Sequence, residues 1–441
     1  MELNGRQINK VAVIGLGLTG RSCVNFLLGQ GVSPTLIDTR EQLDTIELQQ
    51  QFPDLDIKLG ALEQCELTSF DLLLVSPGIT VQQAVFEHAM AAGVLVWGDV
   101  ELFAHFVKAP VIGITGSNGK TTVTSLLTEM ANNAGVKAVA IGNIGVPVLD
   151  VVNDSSIELF VLELSSFQLE TTYQLELAGA TVLNISDDHM DRYDGLDDYA
   201  QAKQRIYHHC ACAVVNRDDQ LTKTSHLNIV SFGVTKPALD NEYGIDDNAL
   251  YQGETRLIGC DELAMIGLHN QLNALAALAL GQQVGLNRSA MLDTLRQFTG
   301  LAHRCELVSN KFDVRWLNDS KATNVGATLA ALTGLTQLDG QLIVIAGGDT
   351  KGGDLTPLVA PFNTQVDHLI VIGRDRQLFV DLFPNALISD SLEHAVATAN
   401  ELAKAGDVVL LSPASASIDM FKNYMERGQH FIDAVEGLDV S

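Results

Sequence analysis

Val111-Ile112-Gly113-Ile114-Thr115-Gly116-Ser117-Asn118-Gly119-Lys120-Thr121-Thr122 is the stretch on which the reading of this chain turns. It reads as a buried strand over 111–114, a glycine turn, and a helix that opens at Lys120 and runs through Asn133. Such a turn builds an anion cradle, because backbone N–H groups and the helix N-terminus face one point. Gly116, Ser117, Asn118 and Gly119 would line it, and Thr122 would continue the helix. Lys120 can reach terminal phosphates, and the Thr121 hydroxyl can bind Mg²⁺. Ile114 stands where the strict phosphate-loop pattern has its first glycine, yet Gly116 and Gly119 still allow close backbone approach. The bland alternative, a glycine turn with a surface lysine, fits the strand–helix context less well.

Downstream, Glu163 ends an apolar run over 159–162, and 181–185 reads as another strand running into Ser186-Asp187-Asp188-His189-Met190-Asp191. In open parallel sheets ligands lie beyond the carboxyl ends of strands, which is where Glu163 falls. Mg²⁺ beside ATP needs one or two protein oxygens, a need Glu163 meets. His189 is a softer ligand, and alone it reads equally well as a structural histidine. By composition Lys203 is an ordinary helical lysine.

Upstream, Gly15-Leu16-Gly17-Leu18-Thr19-Gly20 matches G-x-G-x-x-G between a strand over 11–14 and a helix over 21–28, and Asp38 ends the next strand. Alone, that is a dinucleotide fingerprint and suggests an NAD-dependent oxidoreductase. A hydride-transfer enzyme has no use for a second phosphate loop or a metal cluster, and the same turn serves any pyrophosphate. A scaffold with a relic phosphate loop is a further alternative, opposed by Glu163, His189 and Lys203.

With 441 residues, two or three domains are expected. Short apolar runs separated by helix-length segments give an α/β class with parallel sheets, in blocks 1–98, 99–301 and 302–441. Further strands are expected at 35–37, 72–75, 94–96, 213–215, 314–317, 342–345, 369–372 and 408–411, with a buried helix over 270–280. The 27 basic against 54 acidic residues, net −27, argue against a nucleic-acid partner. Such a chain must gather its few cations wherever an anion binds. Six scattered cysteines without a C-x-x-C pair point to reduced thiols. No run is long enough for a membrane span and no signal-peptide core is seen, so a cytoplasmic protein is expected. With no apolar surface segment left over, a monomer is expected.

In order along the chain stand TGSNGKTT, LELSSFQLE, NISDDHMDRY with its downstream lysine, GLHNQLNALAA, HR, NDSKATN and LLSPASAS. Together they resemble the Mur ligases of peptidoglycan synthesis over essentially the whole chain. The resemblance implies a Rossmann-like UDP-binding N-terminal domain, a central phosphate-loop ATPase domain and a C-terminal Rossmann-like domain that closes over the site. It implies ATP-dependent amide formation through an acyl phosphate, with UDP-N-acetylmuramoyl-L-alanine and D-glutamate as substrates. Sister enzymes adding other amino acids share this chemistry.

By the same resemblance, Thr121, Glu163, His189 and Lys203 hold two Mg²⁺ ions, Lys203 as a carbamate. Lys120, Asn143, His189, Lys203 and Arg304 act in catalysis. Asn270, Asn273, Arg304 and Asp319 join the phosphate loop on ATP. Leu18, Thr19, Thr39, Arg40, Ser76, Gly78, Asn143 and Ser165 contact the UDP substrate. Lys321, Thr323, Lys351, Ser417, Ile418 and Tyr424 hold D-glutamate, Tyr424 standing where the family commonly has Phe.

Overall fold

Three parallel-sheet cores, each made from strands whose two faces are both covered, organise the chain. The computed structural model describes residues 1–438 except 4, 191, 266, 336, 337 and 339. Val11–Ile14, Leu72–Val75, Val111–Thr115, Leu159–Glu163, Leu342–Gly347 and Val408–Leu411 are buried at every position. Helices on both faces of a parallel sheet leave no solvent side, which is why these strands read as unbroken apolar runs.

The first sheet has five parallel strands in the order Ile57–Leu59, Thr35–Asp38, Val11–Ile14, Leu72–Val75, Leu95–Trp97. Its first helix, Leu18–Gly29, begins three residues earlier than the expected 21–28. The second sheet has nine strands. At its centre Val111–Thr115 lies between Gly179–Val182 and Leu159–Glu163, and Ala138–Gly142 closes that edge. The helices Lys120–Asn133 and Leu268–Gln283 pack together on one face, and each of their fully buried leucines contributes roughly 1.5–3 kcal/mol. The third sheet runs Glu306–Ser309, Arg315–Asn318, Val408–Leu411, Leu342–Gly347, His368–Ile372, Leu387–Ile388, parallel except for its first strand.

One expectation is corrected. The strand expected over 181–185 is Gly179–Val182. Beyond it the chain turns to grip the phosphate loop: Asn184 O accepts from Ser117 N at 2.9 Å, and Asn184 Oδ1 from Asn118 N at 2.8 Å. The central sheet is otherwise mostly parallel, with Glu242–Asp246, Ala249–Gln252 and Thr255–Gly259 forming antiparallel hairpins at its far edge. The six cysteines are free thiols, and among the described residues no helix is long and apolar enough to cross a membrane.

Candidate active site

The carboxyl ends of the central strands open into a cavity of about 730 Å³ that the first and third domains also line. Its floor is the turn after Val111–Thr115. Gly116 has φ 148°, and a Cβ there would sit 3.0 Å from the Leu183 Cβ. Gly119 has φ 83°, and a Cβ there would meet the Asn273 Oδ1 at 2.6 Å. Only glycine lets the turn pass this close to its neighbours. The first N–H groups of the helix Lys120–Asn133 have no partner within the helix, and Lys120, Thr121 and Thr122 line the cavity. Lys120 Nζ donates to the Gly116 and Ser117 carbonyls at 2.7 and 3.0 Å.

Glu163 faces this loop from the end of the neighbouring strand. Its Oε1 accepts from Asn143 Nδ2 at 2.7 Å, while its buried Oε2 has no partner. A buried carboxylate oxygen left unsatisfied is costly unless a cation or donor completes it. Beside it Lys203 is almost wholly buried, its Nζ 3.5 Å from Thr115 Oγ1 and 4.6 Å from the centre of the Tyr199 ring. Burial, then the charge of Lys120, pushes its amine well below the ordinary lysine range, so it is held towards its neutral form.

His189, at φ 57°, lies 4.9 Å from the Phe167 ring with Nε2 3.7 Å from Asp188 Oδ2. Among the described residues no three His, Cys, Asp or Glu side chains are grouped closely enough to hold an ion alone. Of the expected ligands only Glu163 and His189 are of these types, with Thr121 and Lys203 lining the same cavity. The orphaned Glu163 oxygen still suits a hard cation that draws its remaining oxygens from phosphate.

The third domain supplies the opposite wall and most of its charge. Arg304 sits between two residues of left-handed backbone, His303 at φ 62° and Cys305 at φ 48°. Lys321 lies 4.0 Å over the Tyr424 ring, and burial followed by the charges of Arg304 and Lys120 lowers its amine to about 8. Lys351 Nζ reaches Asp188 Oδ1 at 3.4 Å, and Asn324 Nδ2 donates to Asn118 Oδ1 and Asp188 Oδ2 at 3.3 and 3.4 Å. These contacts join the third domain to the phosphate-loop side of the cavity. Apart from the desolvated Lys203, the lining carries five cations (Lys120, Arg304, Lys321, Lys351, Lys422) against three acids (Glu163, Asp188, Asp319), inverting the balance of the whole chain. Cations thus concentrate in one place, as an anion site in an acidic protein requires.

Residues 9–98 match the family described as Mur ligase MurD-like, N-terminal domain; 114–281 match the Mur ligase middle domain, and 303–415 the Mur ligase glutamate ligase domain. A UDP-N-acetylmuramoylalanine–D-glutamate ligase of Shewanella oneidensis is 48% identical over 432 residues, covering 97% of this chain and 98% of the relative. One from Pseudomonas savastanoi pv. phaseolicola is 48% identical over 438 residues, covering 97% of each. The chain belongs to the Mur ligase family. Its fold is also that of a UDP-N-acetylmuramate–alanine ligase from Thermotoga maritima, with TM-score 0.60 at 17% identity over 97% of this chain and 99% of that one.

Against the Mur ligase expectations, the cavity collects every residue assigned to the metals and the amino acid, and every one assigned to ATP except Gly116, which shapes the turn from behind. Asp319 lines it too, but both its oxygens are engaged inside the protein: Ser412 Oγ donates at 2.9 Å and Cys305 N at 3.2 Å. Burial raises its carboxyl to about 7. Gly78, Asn143 and Ser165 are also in the lining, whereas Leu18, Thr19, Thr39, Arg40 and Ser76 lie outside it around the first glycine loop.

At that loop Ser76 Oγ donates to Gly15 O at 2.9 Å. Asp38, the strand-end acid of the dinucleotide fingerprint, is taken by Arg40 Nε and Nη2, both at 2.8 Å, and by Leu16 N at 2.8 Å. Family membership leaves the oxidoreductase reading without support.

Two site residues had been given no role. Asp188 anchors Lys351 and Asn324; its only sequence signal was a second acid directly before His189. Arg427 is fully buried and donates to Ser320 Oγ, Ser320 O and Ser415 O at 3.0, 2.7 and 3.1 Å, clamping the segments that carry Lys321 and Ser417. Nothing in the sequence pattern marked it.

Proposed function

We propose that this Mur ligase joins D-glutamate to UDP-N-acetylmuramoyl-L-alanine at the cost of one ATP, as the names of its near relatives suggest. The observation that carries the reading is the convergence, in one cavity, of a phosphate loop with an unsatisfied buried carboxylate and of lysines from the opposing domain. Block 1–98 binds the UDP moiety, 99–301 binds ATP, and 302–441 brings the amino acid.

ATP lies on the 116–122 turn, its phosphates drawn by Lys120, the helix N-terminus and Arg304, while Asn270, Asn273 and Asp319 flank the nucleoside. The L-alanyl carboxylate, oriented by Asn143 and Ser165, attacks the γ-phosphorus, and the bond to ADP breaks. The amine of D-glutamate then attacks the acyl carbon, phosphate departs with the C–O electron pair, and the amine nitrogen loses a proton. Lys321, Thr323, Lys351, Ser417, Ile418 and Tyr424 position the amino acid. An acyl phosphate hydrolyses readily, so contact between the domains before transfer excludes water.

Two Mg²⁺ ions held by Thr121, Glu163, His189 and a Lys203 carbamate would neutralise the charge that grows on the phosphate oxygens. The desolvated amine of Lys203 suits that modification, because only a neutral amine adds to CO₂. We place the protein in the cytoplasm as a monomer.

The test is phosphate release from ATP and Mg²⁺ with UDP-N-acetylmuramoyl-L-alanine, with and without each candidate amino acid. Strong stimulation by D-glutamate alone is expected. Stimulation by another amino acid would move the chain to a sister activity, and no turnover under any combination would end the ligase reading.

A further inference from the structure

Lys351 has φ 51°, a left-handed backbone that a residue with a side chain keeps only when its surroundings enforce it. The enforcement comes from the side of the loop away from the cavity. Asp349 Oδ1 accepts the Lys351 N–H at 2.9 Å and forms an ion pair with Arg374 Nη2 at 2.6 Å. Arg374 Nε also donates to Asp375 Oδ1 at 3.2 Å, and Asp375 Oδ2 accepts the Thr350 N–H and hydroxyl at 2.8 and 2.9 Å. The Arg374 N–H donates to Asp419 Oδ2 at 2.8 Å. Asp349 and Ala416 exchange backbone hydrogen bonds at 3.0 and 2.7 Å. Three loops at the carboxyl edge of the third sheet are thereby tied into one unit. They carry Lys351, Ser417 and Ile418, yet Arg374 lies outside the cavity lining with its side chain 60% exposed.

We infer that Arg374 is a positioning residue for amino-acid recognition, its guanidinium fixing the backbone that aims Lys351 and, through Asp349, the neighbouring Ser417 segment. The inference rests on the proposed reading in which Lys351 and Ser417 hold the incoming amino acid. Without the guanidinium, the Asp349 and Asp375 carboxylates lose the cation they share, and the left-handed turn at Lys351 loses its brace. An exposed ion pair contributes little to global stability, so the loss falls on geometry rather than on folding.

The experiment compares Arg374→Ala, Arg374→Lys, Asp349→Asn and Lys351→Ala in the full chain, measuring KM separately for ATP, the UDP substrate and D-glutamate, with a melting curve for each. Arg374→Ala is expected to raise the D-glutamate KM ~10-fold while the other two KM values stay within about twofold. Asp349→Asn should show the same selectivity, and Arg374→Lys should recover only part, since an ammonium cannot bridge two carboxylates as a planar fork does. If Lys351→Ala raises the D-glutamate KM and neither Arg374→Ala nor Asp349→Asn does, the inference is overturned and the reading of Lys351 stands. If Lys351→Ala leaves that KM unmoved, the reading of Lys351 fails and the inference falls with it. Equal rises in all three KM values would make Arg374 a general brace of the domain and overturn its selective role.

Discussion

The glycine loop at 15–20 and the glycine loop at 116–120 follow one building plan and differ in their company. Each succeeds a fully buried strand and feeds a helix, and each has a glycine where a Cβ would collide: Gly20 with the Gly15 carbonyl at 1.9 Å, Gly116 with Leu183 at 3.0 Å. Around the first loop the buried acid Asp38 is already paired with Arg40, and Leu18 stands exposed. Around the second, Glu163 keeps an unpartnered oxygen, Lys203 is desolvated, and lysines from another domain close in. A glycine fingerprint thus specifies how closely a backbone can approach a phosphate. What converges around that backbone decides whether the phosphate is only held or also transferred.

If that contrast is right, damage near the second loop lowers turnover and damage near the first weakens one substrate only. The largest effect is expected from Lys203→Ala, with a loss of at least ~100-fold in kcat, on the scale of removing a charge-stabilising group from a transition state. Near-normal turnover at ordinary Mg²⁺ would remove Lys203 from the mechanism. An NMR signal from isotope-labelled bicarbonate, present in the parent chain and absent from Lys203→Ala, would establish the carbamate.

Next comes Lys351→Ala, which should raise the KM for D-glutamate ~10- to 100-fold, the range of a lost charge-assisted hydrogen bond, and move that for ATP far less. Equal effects on both would count against a role in holding the amino acid.

Lys321 gives a pH signature. Its amine is lowered to about 8 by burial and then by Arg304 and Lys120, while in the unfolded chain it stays charged to about 10.4. Keeping the charge therefore costs the fold throughout the range below about pH 8, and the cost is relieved as the proton leaves between the two values. Binding runs the other way, because the neutral amine no longer attracts a carboxylate. The KM for D-glutamate should rise roughly eightfold between about pH 7.5 and 9. Lys321→Arg should flatten the rise, since a guanidinium keeps its proton. A rise that survives in Lys321→Arg would assign the titration to another group.

The parts of the fold that were legible in the sequence are those that local chemistry determines. Strands buried on both faces announce themselves as apolar runs, so Val11–Ile14, Leu72–Val75 and Val408–Leu411 have the expected bounds. The hairpins over 242–259 escaped although Glu242-Tyr243-Gly244-Ile245-Asp246 alternates, because the run is short and has a glycine at its centre, which weakens a strand. Their turn signals were nevertheless present: Asp247 and Asn248 at φ 42° and 52°, and Gly253 at φ 53°.

At the site, Lys120 and Glu163 were legible because Lys120 opens the helix after a glycine turn and Glu163 ends a strand of the same sheet. Lys203 looks ordinary by composition; only its depth in the fold distinguishes it, and the family resemblance stood in for that depth. Asp188 and Arg374 act on groups far away in the chain or on the far side of a loop, and no local pattern records such partners.

Arg40→Ala is the smallest expected effect and the sharpest test of the contrast between the two loops. Although burial works against it, the Arg40 guanidinium, with the Leu16 N–H, brings the Asp38 carboxyl down to about 2. Removing Arg40 therefore subtracts a cation and also uncovers a carboxylate beside the site proposed for the diphosphate. Affinity for the UDP substrate should fall about fivefold in Arg40→Ala, on the scale of one hydrogen bond to a charged group. Asp38→Asn added to Arg40→Ala should restore part of the loss, because the uncovered charge is then gone. ATP affinity, measured by equilibrium binding, should not change in either variant. If ATP weakened in step with the UDP substrate, the two glycine loops would be coupled rather than separate, and the division between holding and transferring phosphate would have to be drawn elsewhere in the molecule.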